Sequence, residues 1–456
     1  MPPAISLTTP LTPPQPQPDR STALPQYQDV VIVGGGIVGL TLAATLGRSG
    51  LSVTVVESQA IAQGLKNQRA YALTLLSSEI FQGLGLWDEI RPQITAFDTI
   101  RLADADYRGV VSLRSEHLRR SELGYVAEHR VLLRALWQQV QRLDRVTYLA
   151  PVQVTAVSAQ PAPSPPSQRA TVTLQTPDGQ PHQIQTPLVV AADGAKSPVR
   201  TAAGISTQGW AYWQSCIGFT VRTQHPHAHT AHEHFWPSGP FAILPLPDRR
   251  CQVVWTAPHA EAQHLAALPE ADFLALLRER FGPAFGEIAL DTPRFVFPVR
   301  LMQSDRYSQP GLALVGDAAH CCHPVGGQGM NLGIRDAVAL AEVLGQAQQR
   351  GEDWGSGAVL KRYDRWRRWE NWLILGFTDL LNRTFSNPFL PLVVARRAGL
   401  HLLRSVPPVR RLALELMTGQ LGRKPAIATA IPDATITDLT ITDLTITDST
   451  AQKPWN

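Results

Sequence analysis

Asp29–Glu57 reads DVVIVGGGIVGLTLAATLGRSGLSVTVVE, and the rest of the chain is organised around it. The apolar run Val30–Val33 predicts a buried parallel strand that ends on Gly34, Gly35 and Gly36, with Gly39 beyond. The glycine spacing is G-x-G-x-x-G. Gly34 permits a sharp turn off the strand, Gly36 leaves room for a pyrophosphate against the backbone, and Gly39 lets the next helix pack closely on the sheet. That helix is expected over 37–49, stopped by Gly50, with its free N–H groups turned toward the phosphates. A second strand follows and ends on Glu57, about 20 residues on, where an adenosine ribose needs an acceptor. A carboxylate here disfavours a 2′-phosphate, so the tightly held dinucleotide is FAD or NAD rather than NADP.

The chain has 456 residues, 44% hydrophobic and 17% charged, enough for two or three units around a large core. Its formal net charge of +4 is too small to argue for nucleic acid. Cys216, Cys251, Cys321 and Cys322 form no spaced framework, which suits a reducing, cytoplasmic setting. No C-x-x-C suggests a structural zinc, so no metal is assigned. No run of about 18 apolar residues predicts a membrane span. Residues 1–28 read as a disordered Pro-rich leader without the features of a secretory signal.

Further along, Arg69–Leu73 (RAYAL) leads into a helix toward Gly85, and a helical pattern over Arg130–Leu143 follows the strand-like LGYVAEH. Glu128, His129 and Arg130 therefore stand at a strand-to-helix junction, where ligand contacts gather in α/β folds. AQPAPSPPSQ reads as a loop insertion between strands. LVVAADGAKSPVR is a buried strand ending near Asp193 and Gly194. From Gly209 to about Pro298, long aromatic-rich strands predict an antiparallel sheet walling an apolar substrate. His225, His227, His229, His232 and His234 are read as an exposed loop rather than a metal site. Gly311–Leu344 returns to α/β character: a strand ends at Gly316 and Asp317, and a glycine-rich turn runs into a helix near Asn331. Asp317 suits a polyol hydroxyl. The amides after Pro324 suit a delocalised anion such as the edge of a reduced flavin ring.

Taken together, GGGIVG with Glu57, RAYAL, ADGAKSPVR, GDAAH and the HP-x-x-GQG-x-N-x-G-x-x-D run from His323 to Asp336 resemble the flavin-dependent aromatic hydroxylases, within them the ubiquinone-biosynthesis hydroxylases. The similarity spans roughly Asp29 to Gly422. It implies the para-hydroxybenzoate hydroxylase fold: an α/β, Rossmann-like FAD-binding domain with an inserted antiparallel-sheet substrate domain and a C-terminal helical region. The expected division is 29–95, 125–205 and 299–350 for the FAD-binding domain, 96–124 and 206–298 for the substrate domain, and 355–424 for the helical region. By position, Gly34, Gly36, Gly39 and Glu57 would hold the ADP half of FAD, and Arg69 the ribityl or pyrophosphate region. Gly316 and Asp317 would meet the ribityl chain. Pro324, Val325, Gly326, Gly327, Gln328, Gly329 and Asn331 would line the flavin ring, and Asp193 with Gly194 would help frame cofactor or reductant. His129 and Arg130 join the cofactor set, although His129 stands where the family often has Asn. Cys321-Cys322 also departs from the pattern, which raises the question of thiol reactivity.

The resemblance further implies NADPH or NADH as a transient reductant and O2 as co-substrate; no second G-x-G-x-x-G offers the reductant its own domain. The substrate class is a small hydrophobic phenol or quinol, and the resemblance brings in a quinone-biosynthesis enzyme complex as partner. No motif ties a general base to the substrate unit. In 355–424, arginine and tryptophan interleave with apolar residues at helical spacing. Two readings stay open: a helical cover with a solvated basic face, or helices at a membrane interface with Trp366, Trp369 and Trp372 inserted and Arg365, Arg367, Arg368, Arg396 and Arg397 on lipid phosphates. Residues 425–456 repeat too few times to stack and read as a frayed tail. Two functional alternatives stand beside the hydroxylase: a flavin reductase of prenyl lipids, and a non-catalytic flavoprotein assembly subunit.

Overall fold

Val30–Val33 lies near the middle of a six-stranded sheet in the computed structural model, which describes residues 24–104, 109–159, 170–387 and 389–429. The order across that sheet is Ser308–Gln309, Leu312–Leu314, Leu188–Ala191, Val30–Val33, Val53–Val56 and Val146–Leu149. All neighbours are parallel except the short Ser308–Gln309 edge. The central strands carry no polar face, as a sheet covered on both sides requires. Helix Ile37–Leu46 packs on it, between His129–Gln141 and Gln328–Gln349. It ends earlier than the expected residue 49, because Gly47–Ser49 already form a turn leading into Gly50 at φ +86°.

A second, larger sheet runs His320–Cys321, Phe295–Ser304, Thr207–Thr223, Arg250–Pro258, Gly239–Leu246, Thr230–Trp236, Thr99–Asp104 and Val111–Arg114, with Ile288–Leu290 paired to Thr207–Thr223. Its Phe219, Phe241 and Trp255 side chains pack with helix Glu270–Phe281 into a separate apolar core. The expected antiparallel sheet needs one correction: Thr230–Trp236 pairs with Thr99–Asp104 in parallel. The two strands are far apart in sequence, so no hairpin constrains their direction. The histidine loop needs another. His232 and His234 lie within Thr230–Trp236 and are half-buried, leaving only His225, His227 and His229 in the turn.

Helices Gly357–Phe385, Leu390–Ser405 and Pro407–Met417 lie across the junction of the two sheets. Several residues read as lipid-facing are interior. Arg367, 1% exposed, bonds Asp336 and Asn371, and Arg396 makes a two-pronged pair with buried Asp104. Trp366 packs on the main core under the Arg423 guanidinium. Residues 1–23, the insertion at 160–169 and the repeats beyond 429 lie outside the described residues. The Gln28 N–H donates to the Gln185 carbonyl and the Gln185 N–H to that of Gln26, and Ala426–Thr429 forms a helical turn against Gly83.

Candidate active site

The three motif glycines have three different surroundings. Gly34 sits at φ +111°, and a Cβ there would lie 2.4 Å from the Ala192 carbonyl oxygen. A Cβ on Gly39 would lie 2.0 Å from the Gly34 oxygen, whereas one on Gly36 would meet nothing within 4 Å. Backbone packing thus accounts for the first and last, and free space for the middle one. Glu57 closes the turn: its carboxylate accepts from the N–H groups of Gly35 (2.7 Å) and Gln59 (2.8 Å) at the end of Val53–Val56.

Gly36, Ile37 and Val38 open onto one continuous cavity of about 990 Å³, which also takes in Gly194, Asp317 and Pro324–Met330. Two helix N-termini face it. Ile37–Leu46 starts at Gly36, and Gln328–Gln349 starts at Gly327, and neither has a side-chain cap. Gly326 and Gly327 take φ +70° and +61° to make the second start, and Gln328, Gly329 and Met330 of its first turn line the cavity. Uncapped amides aligned with two helix dipoles form a cradle for negative charge. The Asp317 carboxylate is open to the cavity yet lies deep in the chain. Burial raises its pKa, opposed by His320, Arg300 and Arg69.

Arg69 reaches the same space with its guanidinium 5.3 Å from the ring centres of both Phe295 and Phe297. His129 lines it too, its Nδ1 paired with the Tyr71 hydroxyl at 3.1 Å. Burial, helped by Arg69, holds that imidazole neutral with a pKa of about 4.

Three expected contacts point elsewhere. Arg130 pairs with Glu128 at 2.9 Å, outside the cavity wall. Asp193 accepts from the Val199 N–H and so supports the helix Pro198–Ala202. Asn331, fully buried, is a brace. Its amide donates to the carbonyls of Ala72 and Gly327, and its oxygen accepts from Thr74 N–H and Ser77 Oγ. It ties the ring loop to strand Ala70–Thr74. His323 has a similar local role, its Nδ1 accepting from Val325 N–H, while burial holds the ring neutral near pKa 3. Burial first, then Asp317, pushes the adjacent Cys321 thiol up to about 12 and Cys322 higher still, which favours the thiol over the thiolate.

Several lining residues carry no motif signal. Arg300 and Arg200 both donate to the Ala195 carbonyl, and Arg300 also lines the cavity. Glu233 and His232 reach the wall from the large sheet. Beyond the ring loop the lining turns apolar, with Phe97, Leu102, Phe235, Leu400 and Leu403 among its members.

These residues fit FAD. Open space sits at Gly36 alone of the motif glycines, a carboxylate stands where a polyol passes, and an uncapped helix start meets the cavity past it.

A family model described as FAD binding domain matches residues 27–378. The chain is 53% identical over 401 residues to an uncharacterised protein of Synechocystis sp., covering 88% of this chain and 95% of that one. It is 39% identical to ubiquinone hydroxylase UbiL of Rhodospirillum rubrum, covering 86% and 90%. It is 34% identical to the 3-demethoxyubiquinol 3-hydroxylase of Escherichia coli, covering 86% and 99%. Among solved structures, p-nitrophenol 4-monooxygenase PnpA of Pseudomonas putida matches with a TM-score of 0.72 at 21% identity, covering 88% and 100%, a likeness of fold.

Proposed function

Given that this chain belongs to the FAD binding domain family, we propose that it is an FAD-dependent monooxygenase that hydroxylates the aromatic ring of a prenylated phenol or quinol in ubiquinone- or plastoquinone-type biosynthesis. The observation that carries this reading is the continuity of one cavity from the glycine turn, past Asp317 and the ring loop, into an apolar chamber. When bound, FAD supplies electron transfer from NADPH or NADH and the activation of O2. The chain does the rest. Gly36 and the first helix would hold the pyrophosphate, Asp317 would accept from the ribityl hydroxyls, and the amides at Gln328 and Gly329 would draw negative charge to the ring's polar edge. Apolar walls keep water from the reacting atoms.

Substrate-dependent NAD(P)H oxidation coupled to O2 uptake tests the reaction; a prenyl-lipid reductase would run to completion without O2. Deleting the gene and weighing the accumulated quinone precursors tests the pathway. Asp317→Ala is expected to weaken flavin binding by roughly 10- to 100-fold, the worth of hydrogen bonds to a charged group at about 1.5–3 kcal/mol. Purified Asp317→Ala protein that stays fully yellow at low micromolar concentration would remove Asp317 from this role.

The helical layer supports peripheral membrane contact with a smaller set of residues than the sequence suggested. Trp369 and Trp372 stack with ring centres 5.3 Å apart and are 65% and 54% exposed. Leu380 and Leu402 both line the cavity and face solvent, so an apolar lip marks where the chamber reaches the surface. A prenyl tail drawn from a bilayer would enter there. No described helix is long and apolar enough to cross a membrane. Replacing Trp369 and Trp372 together by serine is expected to cut binding to anionic vesicles by about tenfold or more, since burying one such side chain is worth about 1.5–3 kcal/mol. Unchanged vesicle flotation would place the contact elsewhere.

A further inference from the structure

Two carboxylates line the cavity: Asp317 at the nucleotide end, and Glu233 on the wall built by the large sheet. Glu233 sits in strand Thr230–Trp236, on the same face as Ala231 and Phe235 by the alternation of a strand. Those two neighbours belong to an apolar cluster with Val325 and Phe385, and Phe235 stacks on Phe385 at 3.9 Å. Gly326, in the ring loop, lines the same cavity as the Glu233 carboxyl. No ion pair to Glu233 occurs among the described residues, so nothing in the packing rewards a carboxyl at this point of an apolar wall. It stands between the loop that would carry the flavin ring and the chamber that would carry the substrate.

We propose that Glu233 accepts the hydroxyl proton of the aromatic substrate and, by holding that oxygen, turns the ring toward the Pro324–Gln328 loop. This rests on the monooxygenase reading above and names the base that no motif supplies. The O–H bond of the phenol breaks, an O–H bond forms on the carboxylate, and the negative charge passes to the ring oxygen. No electrons leave the pair. Charge on that oxygen raises electron density at the ortho and para carbons, which is what an electrophilic oxygen needs.

Burial lifts Glu233 to a pKa of about 8, closer to that of a phenol than an ordinary carboxylate is, which suits proton transfer between them. His232, beside it in the strand and also lining the cavity, is held near pKa 4 by burial, His234 and Arg101, and is the weaker base. Cys216 on Thr207–Thr223 is pushed up to about 12, His234 is lowered, and Arg396 from the helical layer is already answered by Asp104.

The test uses flavin-loaded enzyme and a short-tailed prenylated phenol. Glu233→Gln is expected to lower the hydroxylation kcat by roughly 100-fold or more, with flavin content retained and KM changed by less than about threefold. The wild-type rate should rise with pH through a limb near 8, and Glu233→Gln should lose that limb. Equal kcat and an unchanged pH profile in Glu233→Gln would overturn the assignment. Should Glu233→Gln lose its flavin, Glu233→Asp decides: a displaced limb with flavin retained supports the role, and a wild-type profile overturns it. A wild-type enzyme that consumes NAD(P)H and O2 yet returns no hydroxylated ring would count against the monooxygenase reading itself.

Discussion

Asp336→Ala is expected to lower the unfolding free energy by about 3–5 kcal/mol and to leave the purified chain short of flavin, because the carboxylate it removes answers a buried charge. Asp336 is fully buried. Its Oδ1 accepts from Arg367 Nε at 2.8 Å and Asn371 Nδ2 at 3.0 Å, and its Oδ2 from His320 Nε2 at 2.6 Å and the Gly316 N–H at 3.1 Å. Without it the Arg367 guanidinium keeps its burial and loses its main counter-charge, and the turn that presents Asp317 loses its anchor. Burial alone would raise this carboxyl, but His320 and Arg367 outweigh it and hold the pKa at about 2. A folded pKa below the ordinary carboxylate value contributes stability that is complete above that value and fades as pH falls through about 2. Urea unfolding at neutral pH and toward pH 3 should therefore show a gap between wild type and Asp336→Ala that narrows in acid. A loss under about 1 kcal/mol at neutral pH would mean that Glu370 and Asn371 suffice to hold the Arg367 charge.

Asp336 also marks where sequence reading reached its limit. The glycine turn was legible because its requirements are local: a positive φ at Gly34 and a close approach at Gly39 are imposed by the next few residues and the adjoining strand. Asn331, four residues from the helix start, carried the motif's promise of a ring contact, yet its partners Thr74 and Ser77 lie more than 250 residues away along the chain. Spacing says that such a residue matters and does not say to whom. The arginines of the C-terminal helices failed for the same reason. Arg396 looks solvated beside its own helix neighbours, and the Asp104 that buries it is 292 residues upstream. Glu233 left no local trace at all, since a single carboxylate in a strand becomes informative only when the wall around it proves apolar. Direction was hidden likewise in the parallel pairing of Thr230–Trp236 with Thr99–Asp104, strands with no turn in common.

Two single-methyl substitutions in the glycine turn are expected to fail in opposite ways. Gly39→Ala sets a Cβ 2.0 Å from the Gly34 carbonyl oxygen, and both sides of that contact are backbone. Helix Ile37–Leu46 must then move off the sheet against the whole core it is packed in, an overpacking cost of about 1–3 kcal/mol or more, and the fold is damaged before any ligand is added. Gly36→Ala meets no such resistance. Its backbone, at φ −73° and ψ −176°, is open to any residue, and its Cβ finds no protein atom within 4 Å. That empty volume is where the pyrophosphate would press against the N–H groups of the helix start. Gly36→Ala protein is therefore expected to melt with the wild-type apoprotein while binding FAD at least about tenfold more weakly, the equivalent of one lost charge-assisted hydrogen bond. Thermal melts of the apo chains paired with flavin fluorescence titrations separate the two effects. If Gly36→Ala takes up FAD with wild-type affinity, the phosphates do not pass over this glycine, and the assignment of the first helix N-terminus to the dinucleotide fails with it.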